Sequence, residues 1–478
     1  MKAPFSEYLQ SIAPALKELV AELGRDYEYV SVLSTDSVGF RISISQRAKS
    51  VSNQSVTTER GTVVRVCRDG RYSEAAFNEF DPKDVAGKAA EIRRALDAQT
   101  EILKACASEV YETGKLADEP LVLFVEKEAD ELPERSDAEA LVRVLTEMSD
   151  RGMETIPGAL DVMVSATSTH VSKMFLTANR DLRQSYVFTE ASAASYAPNA
   201  EGDIKFAAEG VSGCAGPEII SGLDAKIDEL AEVISDLVRA EEIVPGEYEI
   251  ITEPGVTGLI AHEAFGHGVE MDMFVKGRAL GADYLGKRVG SEHVTMHEGA
   301  LCDESVTAYA FDDEGTLAGD VIEIDRGILR TGICDALAAL RLGCEPTGNG
   351  KRENFAHKAY TRMTNTVFDS GEDTVEDMIA SVKYGYLLKG LDSGMEDPKH
   401  WGIQCIINRG YEIVDGKLTG KVVAPVIMTG YVPDVLGSVT MASRDRRVDG
   451  NGFCGKGYKE WVKVADGGPY LKMKARLG

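Results

Sequence analysis

Two histidines flank a glutamate in His262-Glu263-Ala264-Phe265-Gly266-His267, a set of side chains suited to hydrolysis at a metal ion. Neutral imidazoles hold a borderline ion such as zinc, and an adjacent carboxylate can take a proton from the water the ion activates. The spacing is unusual. In the common zinc-protease motif the histidines stand at i and i+4, about 40° apart on one helix face. Here they stand at i and i+5, about 140° apart and too far round an ideal helix to clamp one ion. The segment must therefore leave regular α geometry. A π-bulge absorbs one extra residue, and a helix end at Gly268 would serve as well. The sequence predicts a bulge or local unwinding across 265–268. Glu263 lies about 100° round from His262. It cannot ligate in line with that residue but can reach a water in an open coordination position, which makes it the candidate general base.

Two histidines are too few for a catalytic zinc, which takes three protein ligands and a water. Candidates for the third are Glu270, Asp272, His293, His297, His357, His400 and the eight cysteines. Cys454 stands out, within Gly450-Asn451-Gly452-Phe453-Cys454-Gly455-Lys456-Gly457, where glycines let the backbone approach a site closely. The alternative is a cysteine in a flexible turn. Lys456 either lowers the thiol pKa or meets a substrate carboxylate. Glu270 and Asp272 are either partners for the histidine N–H groups or solvated acids. His293 and His297 are further candidates for oxyanion or proton partners. Arg362 and Asn365 either line the cleft or hold the fold.

The elements that must position these residues form an α+β pattern. Glu7–Leu23 reads as a first helix, and Tyr27–Gln46, with alternating Phe40-Arg-Ile-Ser-Ile-Ser, as paired strands. Strands follow through Gly61-Thr-Val-Val-Arg-Val-Cys to a hairpin turn at Asp69-Gly70. A long helix is expected over Asp81–Glu109 and another over Asp137–Met153, capped by Ser136 or Asp137. Short strands are expected at Leu121–Phe124, Val162–Thr167 and Val171–Phe175, and a strong helix over Asp224–Ala240. Beyond it lie glycine and short strands, with a hairpin at Asp415-Gly416. The reading is an N-terminal α/β domain, 1–225, with a mostly antiparallel sheet, and a β-rich C-terminal domain, 226–478, carrying the motif helix.

Composition narrows the partners. The chain has 478 residues, 44% hydrophobic and 27% charged, with a formal net charge of −26. That excess of acid argues against nucleic acid and against anionic membranes, because no Lys/Arg surplus exists to neutralise phosphate. Met1–Leu23 lacks the apolar core of an export signal, and no window approaches a membrane span. The scattered cysteines are then most simply reduced thiols in a cytoplasmic protein.

The residues resemble a known family. His262-Glu-Ala-Phe-Gly-His267-Gly-Val-Glu270 is similar to the HExxxH motif of TldD/PmbA metallopeptidases. The resemblance extends to Asp312-Asp-Glu-Gly-Thr316, Arg362-Met-Thr-Asn-Thr366, Gly410-Tyr-Glu-Ile-Val-Asp-Gly-Lys-Leu-Thr419 and Cys454-Gly-Lys-Gly457. PmbA-type members lack the metal motif, so the chain looks like the TldD type. The resemblance implies zinc, or another divalent metal such as iron, held by His262, His267 and Cys454, with Glu263 catalytic. It implies an α/β domain followed by a β-rich domain. It also implies a homodimer or a heterodimer with a PmbA-type paralogue, and cleavage of unfolded peptides or peptide leaders bound as an added β-strand.

Two other readings follow from the residues. A non-catalytic peptide-binding or scaffold subunit would hold a structural metal in a closed four-ligand site, completed by His293, His297 or Glu270. A metal-dependent amidase or deaminase for small molecules would need a narrow closed pocket, where a peptidase would show a long groove with a free strand edge.

Overall fold

The structure is a computed structural model that describes residues 1–106, 113–457 and 460–478. The first unit is a twisted sheet with helices on it. Its elements are α1 (Glu7–Leu23), β1 (Tyr29–Ile44), β2 (Lys49–Ser52), β3 (Arg60–Arg68), β4 (Arg71–Phe77), α2 (Val85–Ala105), β5 (Leu121–Glu126), α3 (Ala138–Thr155), β6 (Asp161–Leu176), β7 (Arg180–Pro198), β8 (Ile204–Gly213) and α4 (Leu223–Arg239). The strands run in the order β4-β3-β1-β6-β7-β5, with β2 on β1 and β8 on β7. All pairs are antiparallel except β5 with β7. The Asp69-Gly70 turn joins β3 to β4 with both residues at positive φ, the backbone a tight hairpin requires. Asp137 caps α3 by accepting from Glu139 and Ala140 N–H. The last residues expected in the helix over Asp81–Glu109, 107–109, lie outside the described residues.

Several strands are longer than their sequence suggests. β1 is one strand of 16 residues rather than a pair, and the segments at 162–167 and 171–175 are one strand, β6. The interruptions were polar residues, and these are buried in hydroxyl pairs: Ser34 with Thr62 at 2.8 Å and Ser168 with Thr189 at 2.7 Å. Satisfied hydroxyls keep a polar strand buried without breaking it.

α4 packs Ile227, Leu230, Ile234 and Leu237 into the core that also holds Val162, Val164 and Ala193 of the first sheet. This helix therefore packs with the first unit's sheet. The helix is amphipathic, and its apolar face packs on the preceding sheet together with Leu145 and Met148 of α3.

The second unit contains β9 (Gly246–Thr252), α5 (Pro254–Ala261), α6 (Asp272–Val275), β10 (Met296–Glu298), β11 (Val321–Asp325), β12 (Ile328–Leu329), α7 (Ala336–Leu342), β13 (Gly350–Lys351), β14 (Tyr360–Thr361), β15 (Asn365–Phe368), β16 (Tyr384–Asp397), β17 (Gly402–Val414), β18 (Lys417–Val423), β19 (Val426–Tyr431), β20 (Met441–Asp449), β21 (Phe453–Lys456), β22 (Glu460–Lys463) and β23 (Ala465–Leu477). An eleven-stranded sheet runs β12-β11-β10-β15-β23-β19-β17-β16-β9, and β9 pairs again with β23. That second pairing closes β9, β16, β17, β19 and β23 into a barrel. Every residue of α5 is buried, as expected of a helix that is apolar all round. Gly258 lets it lie against β23: a Cβ there would meet Gly467 N at 2.6 Å.

The units are clasped by Asp312-Asp-Glu-Gly-Thr316. Asp313 pairs with Lys173 of β6, and Glu314 accepts from Arg65 of β3 at 2.5 Å. Gly315, at φ +76°, lies against the Phe175 ring with no room for a side chain.

Candidate metal centre

β9 leads through Glu253 into α5, which aims the motif at the interior. The helix then widens. His262–Gly266 is a π turn, with the His267 N–H bonded to His262 O, and His267–Val269 follows as a 3₁₀ turn. An i→i+5 bond stacks residues five apart as an α-helix stacks residues four apart. The two imidazole centroids are accordingly 5.1 Å apart, with ring planes at 87°. Gly266 makes room for the turn, since a Cβ would meet Met363 Sδ at 2.1 Å.

Cys454 arrives from the far end of the chain on the β21–β22 hairpin. Its Sγ is 3.3 Å from His267 Nε2, and ligand atoms of His262, His267 and Cys454 lie within 4.8 Å of one another. Buried Arg362 sets the hairpin by donating to Cys454 O at 2.5 Å and Glu460 O at 3.0 Å, one carbonyl on each strand. Asn365 donates to Gly299 O and Asp303 O, a fold-holding role.

The electrostatics favour an ionised sulfur. Burial alone would raise the Cys454 thiol, but the facing His267 and His262 imidazoles outweigh it and hold the pKa at about 4. Burial would depress His267, yet the thiolate, with Glu270 behind the ring, raises it well above its usual value. Glu270 Oε2 is 3.3 Å from His267 Nδ1. Burial opposes its ionisation, and Lys456 foremost, then His267, bring it down to about 2. Lys456 bridges Glu270 at 3.0 Å and Asp272 at 2.8 Å, so it braces acids behind the histidine and is not free for a substrate carboxylate.

The donor set fits a zinc-like ion: two imidazoles and one thiolate, with ligand atoms within 4.8 Å of one another. His262 Nδ1 is buried without a hydrogen-bond partner among the described residues, and Asp466 Oδ2 stands 3.9 Å from it. Burial pushes the Asp466 carboxyl up to about 7, partly offset by His262. Neither His293, exposed in a loop, nor His297, bound to Asp320 and Asp369, joins the cluster. His357 and His400 pair with Glu353 and Asp397. With Glu270 engaged by His267 and Lys456, no fourth protein ligand completes a closed site among the described residues.

Glu263 is buried and projects toward β16, where Gly394 stands so close that a Cβ would meet Glu263 Cγ at 2.5 Å. Two positions along that strand, Glu396 has both carboxylate oxygens buried and unpartnered, and burial pushes its pKa up to about 9. Sequence reasoning missed Asp466, Gly394 and Glu396. They are far from the motif in the chain, and only barrel closure brings them to it.

A family model for the PmbA/TldA metallopeptidase C-terminal domain matches residues 245–475. A metalloprotease of Methanocaldococcus jannaschii is 32% identical over 50% of this chain, and the match spans 52% of that relative, about half its length. A metalloprotease of Synechocystis is 26% identical over 98% of both chains. The crystal structure of TldE from Thermococcus kodakarensis superposes with a TM-score of 0.76 at 17% identity, covering 97% of this chain and 100% of that one; at that identity the likeness concerns the fold. These matches make residues 245–475 a PmbA/TldA-type metallopeptidase C-terminal domain, and over that half the chain is similar to metalloproteases named as TldD homologues.

Proposed function

We propose that the protein is a metal-dependent peptidase acting on unfolded peptides or peptide leaders held in an extended conformation. The observation that carries this reading is the convergence of His262, His267 and Cys454 beside the buried Glu263 on the same widened turn. These three residues would hold the ion, zinc being the best match to two nitrogens and one sulfur. A bound divalent ion of this kind supplies Lewis acidity, polarising a carbonyl oxygen and making water nucleophilic at neutral pH. Glu263 takes the proton of the attacking water on its carboxylate and returns it to the leaving amine. Glu270 fixes the His267 ring through Nδ1, and Lys456 keeps Glu270 ionised.

The segment 391–397 of β16 pairs with β17 only, because β9 reaches no further than Leu388. This unpaired edge runs past Glu263. An extended peptide added there would be held mainly through its backbone. The open edge favours a peptide over a small amide. A dimer, with itself or with a PmbA-type paralogue, belongs to the same proposal, as does a cytoplasmic setting; no described helix is long and apolar enough to cross a membrane.

Glu263→Gln tests the reading. The variant should retain about one ion per chain by elemental analysis, as a catalytic site requires. Its kcat/KM on a denatured peptide mixture should fall by about 10²–10⁴-fold, followed by mass spectrometry of the fragments. Cleavage at the wild-type rate would remove Glu263 from the role of base.

A further inference from the structure

Beside the candidate metal centre the two units leave a cleft of about 580 Å³, within the range of built ligand sites. Two strand edges meet there. β8 contributes residues 206–210 and pairs with β7 alone among the described residues. β16 contributes residues 389–392, at the start of its unpaired half. Asp466 also lines the cleft. Along β16, the lining residue Asp392 stands two positions from Gly394, which lies against Glu263, so the cleft adjoins the reacting centre.

The lining is charged unequally: seven carboxylates face three cations, Lys389, Arg409 and Arg447. Two of these cations are turned toward one tyrosine. Arg409 donates to Tyr411 Oη at 2.8 Å, and Lys389 lies over the Tyr411 ring. The Glu209 side chain has neither hydrogen bond nor ion pair among the described residues, and burial pushes its carboxyl upward, with Lys226 and then Arg409 offsetting only part of this. Asp392 is raised by burial in the same way, against a hydrogen bond from Asn408. Carboxylates that burial disfavours and neighbouring cations offset only in part are relieved by an arriving ammonium or guanidinium. The unpaired edges ask for extended backbone, and the charge asks for basic side chains.

We infer that this cleft receives the peptide on one side of the scissile bond and selects there for lysine and arginine. Calling that peptide a substrate rests on the peptidase reading above; its binding does not.

The test compares two unfolded fluorescent peptides of equal length, identical except that one carries four lysines where the other carries four glutamates. Binding is read by anisotropy on metal-loaded Glu263→Gln protein, and cleavage by mass spectrometry on the metal-loaded wild type. The lysine peptide should bind at least about tenfold more tightly at low salt, with the advantage shrinking as salt rises. Equal affinities overturn the inference. Because the whole chain is acidic, Glu209→Lys with Asp392→Lys is compared with Glu147→Lys and Glu154→Lys, an equal change of net charge on exposed positions of α3. The first pair should bring the lysine preference below about twofold while the second keeps most of it; a preference that survives the first pair also overturns the inference. If the lysine peptide binds selectively but neither peptide is cut, the cleft stands and the hydrolytic reading falls. If both are cut and bound alike, the reverse holds.

Discussion

A thiol held at about 4 between two imidazoles is already ionised at neutral pH. At the proposed site an incoming cation would therefore meet a ready sulfur ligand and displace protons chiefly from His262 and His267. Cys454→Ser replaces that thiolate with a neutral hydroxyl and should lose more metal affinity than Glu270→Gln. The latter removes a partner of a ligating imidazole, a change worth about 10–100-fold. Competition against a chromophoric chelator ranks the two variants, and a serine variant that binds as tightly as the wild type would remove Cys454 from the ligand set. His297 shows the opposite use of a histidine. Asp369 foremost, and Asp320 at 2.7 Å, raise its pKa to about 9. A raised histidine pKa stabilises the fold fully below the unfolded value near 6.5, and the contribution disappears as pH climbs through about 9. The aspartates are partly exposed, so the screened effect is about 1 kcal/mol. Unfolding free energies from urea titrations should fall between pH 6 and 9.5 in the wild type by that amount more than in His297→Gln; parallel curves would count against the ion pair.

At the scale of elements, the site depends on a widened turn and a hairpin, and only the first was legible in the sequence. The i, i+5 spacing forbids an α-helix from presenting both histidines, and the π turn at His262–Gly266 is the physical answer. The hairpin is different. Nothing near Cys454 states that it must face His267. That placement comes from Arg362, fully buried 92 residues upstream of the sulfur and bonded to a carbonyl on each hairpin strand. The sequence left Arg362 between cleft and fold because burial cannot be read from one isolated arginine. The same holds for Asp466, whose position follows from β23 pairing with β9 at opposite ends of the second unit. Arg362→Lys tests the element directly. A lysine cannot donate to both carbonyls in a fork, so one is left buried and unpaired at a loss of about 1–3 kcal/mol. Metal affinity should drop with stability, because the hairpin carries Cys454, the proposed sulfur ligand. A variant that loses stability but binds metal normally would show that the hairpin is set by its other contacts.

At the scale of the whole molecule, the cleft exists only while the two units stay in register, and that register rests on buried charge. Glu74 of β4 accepts from Arg65 of β3 at 2.6 Å and from both terminal nitrogens of Arg352 in the second unit, at 2.6 and 2.8 Å. Arg65 reaches on to Glu314. Burial would raise the Glu74 carboxyl, but Arg65 and Arg352 hold it far below the usual carboxylate range, so it is ionised throughout the neutral region. Its removal strands a buried guanidinium that has lost its only carboxylate among the described residues: Arg352 keeps just the His357 carbonyl, whereas Arg65 retains Glu314. Breaking such a pair from one side is worth about 3–5 kcal/mol, while replacing both partners by apolar groups is often nearly neutral. Glu74→Gln should therefore lower the urea midpoint strongly, and Glu74→Gln combined with Arg352→Met should recover part of the loss. The same series read by peptide cleavage separates two roles for the network. If it only stabilises, activity per folded molecule stays constant across the three proteins. If it sets the register of β8 against β16, activity falls in the single variant even well below its unfolding transition, and the double variant, which restores stability without the directed hydrogen bonds, remains impaired.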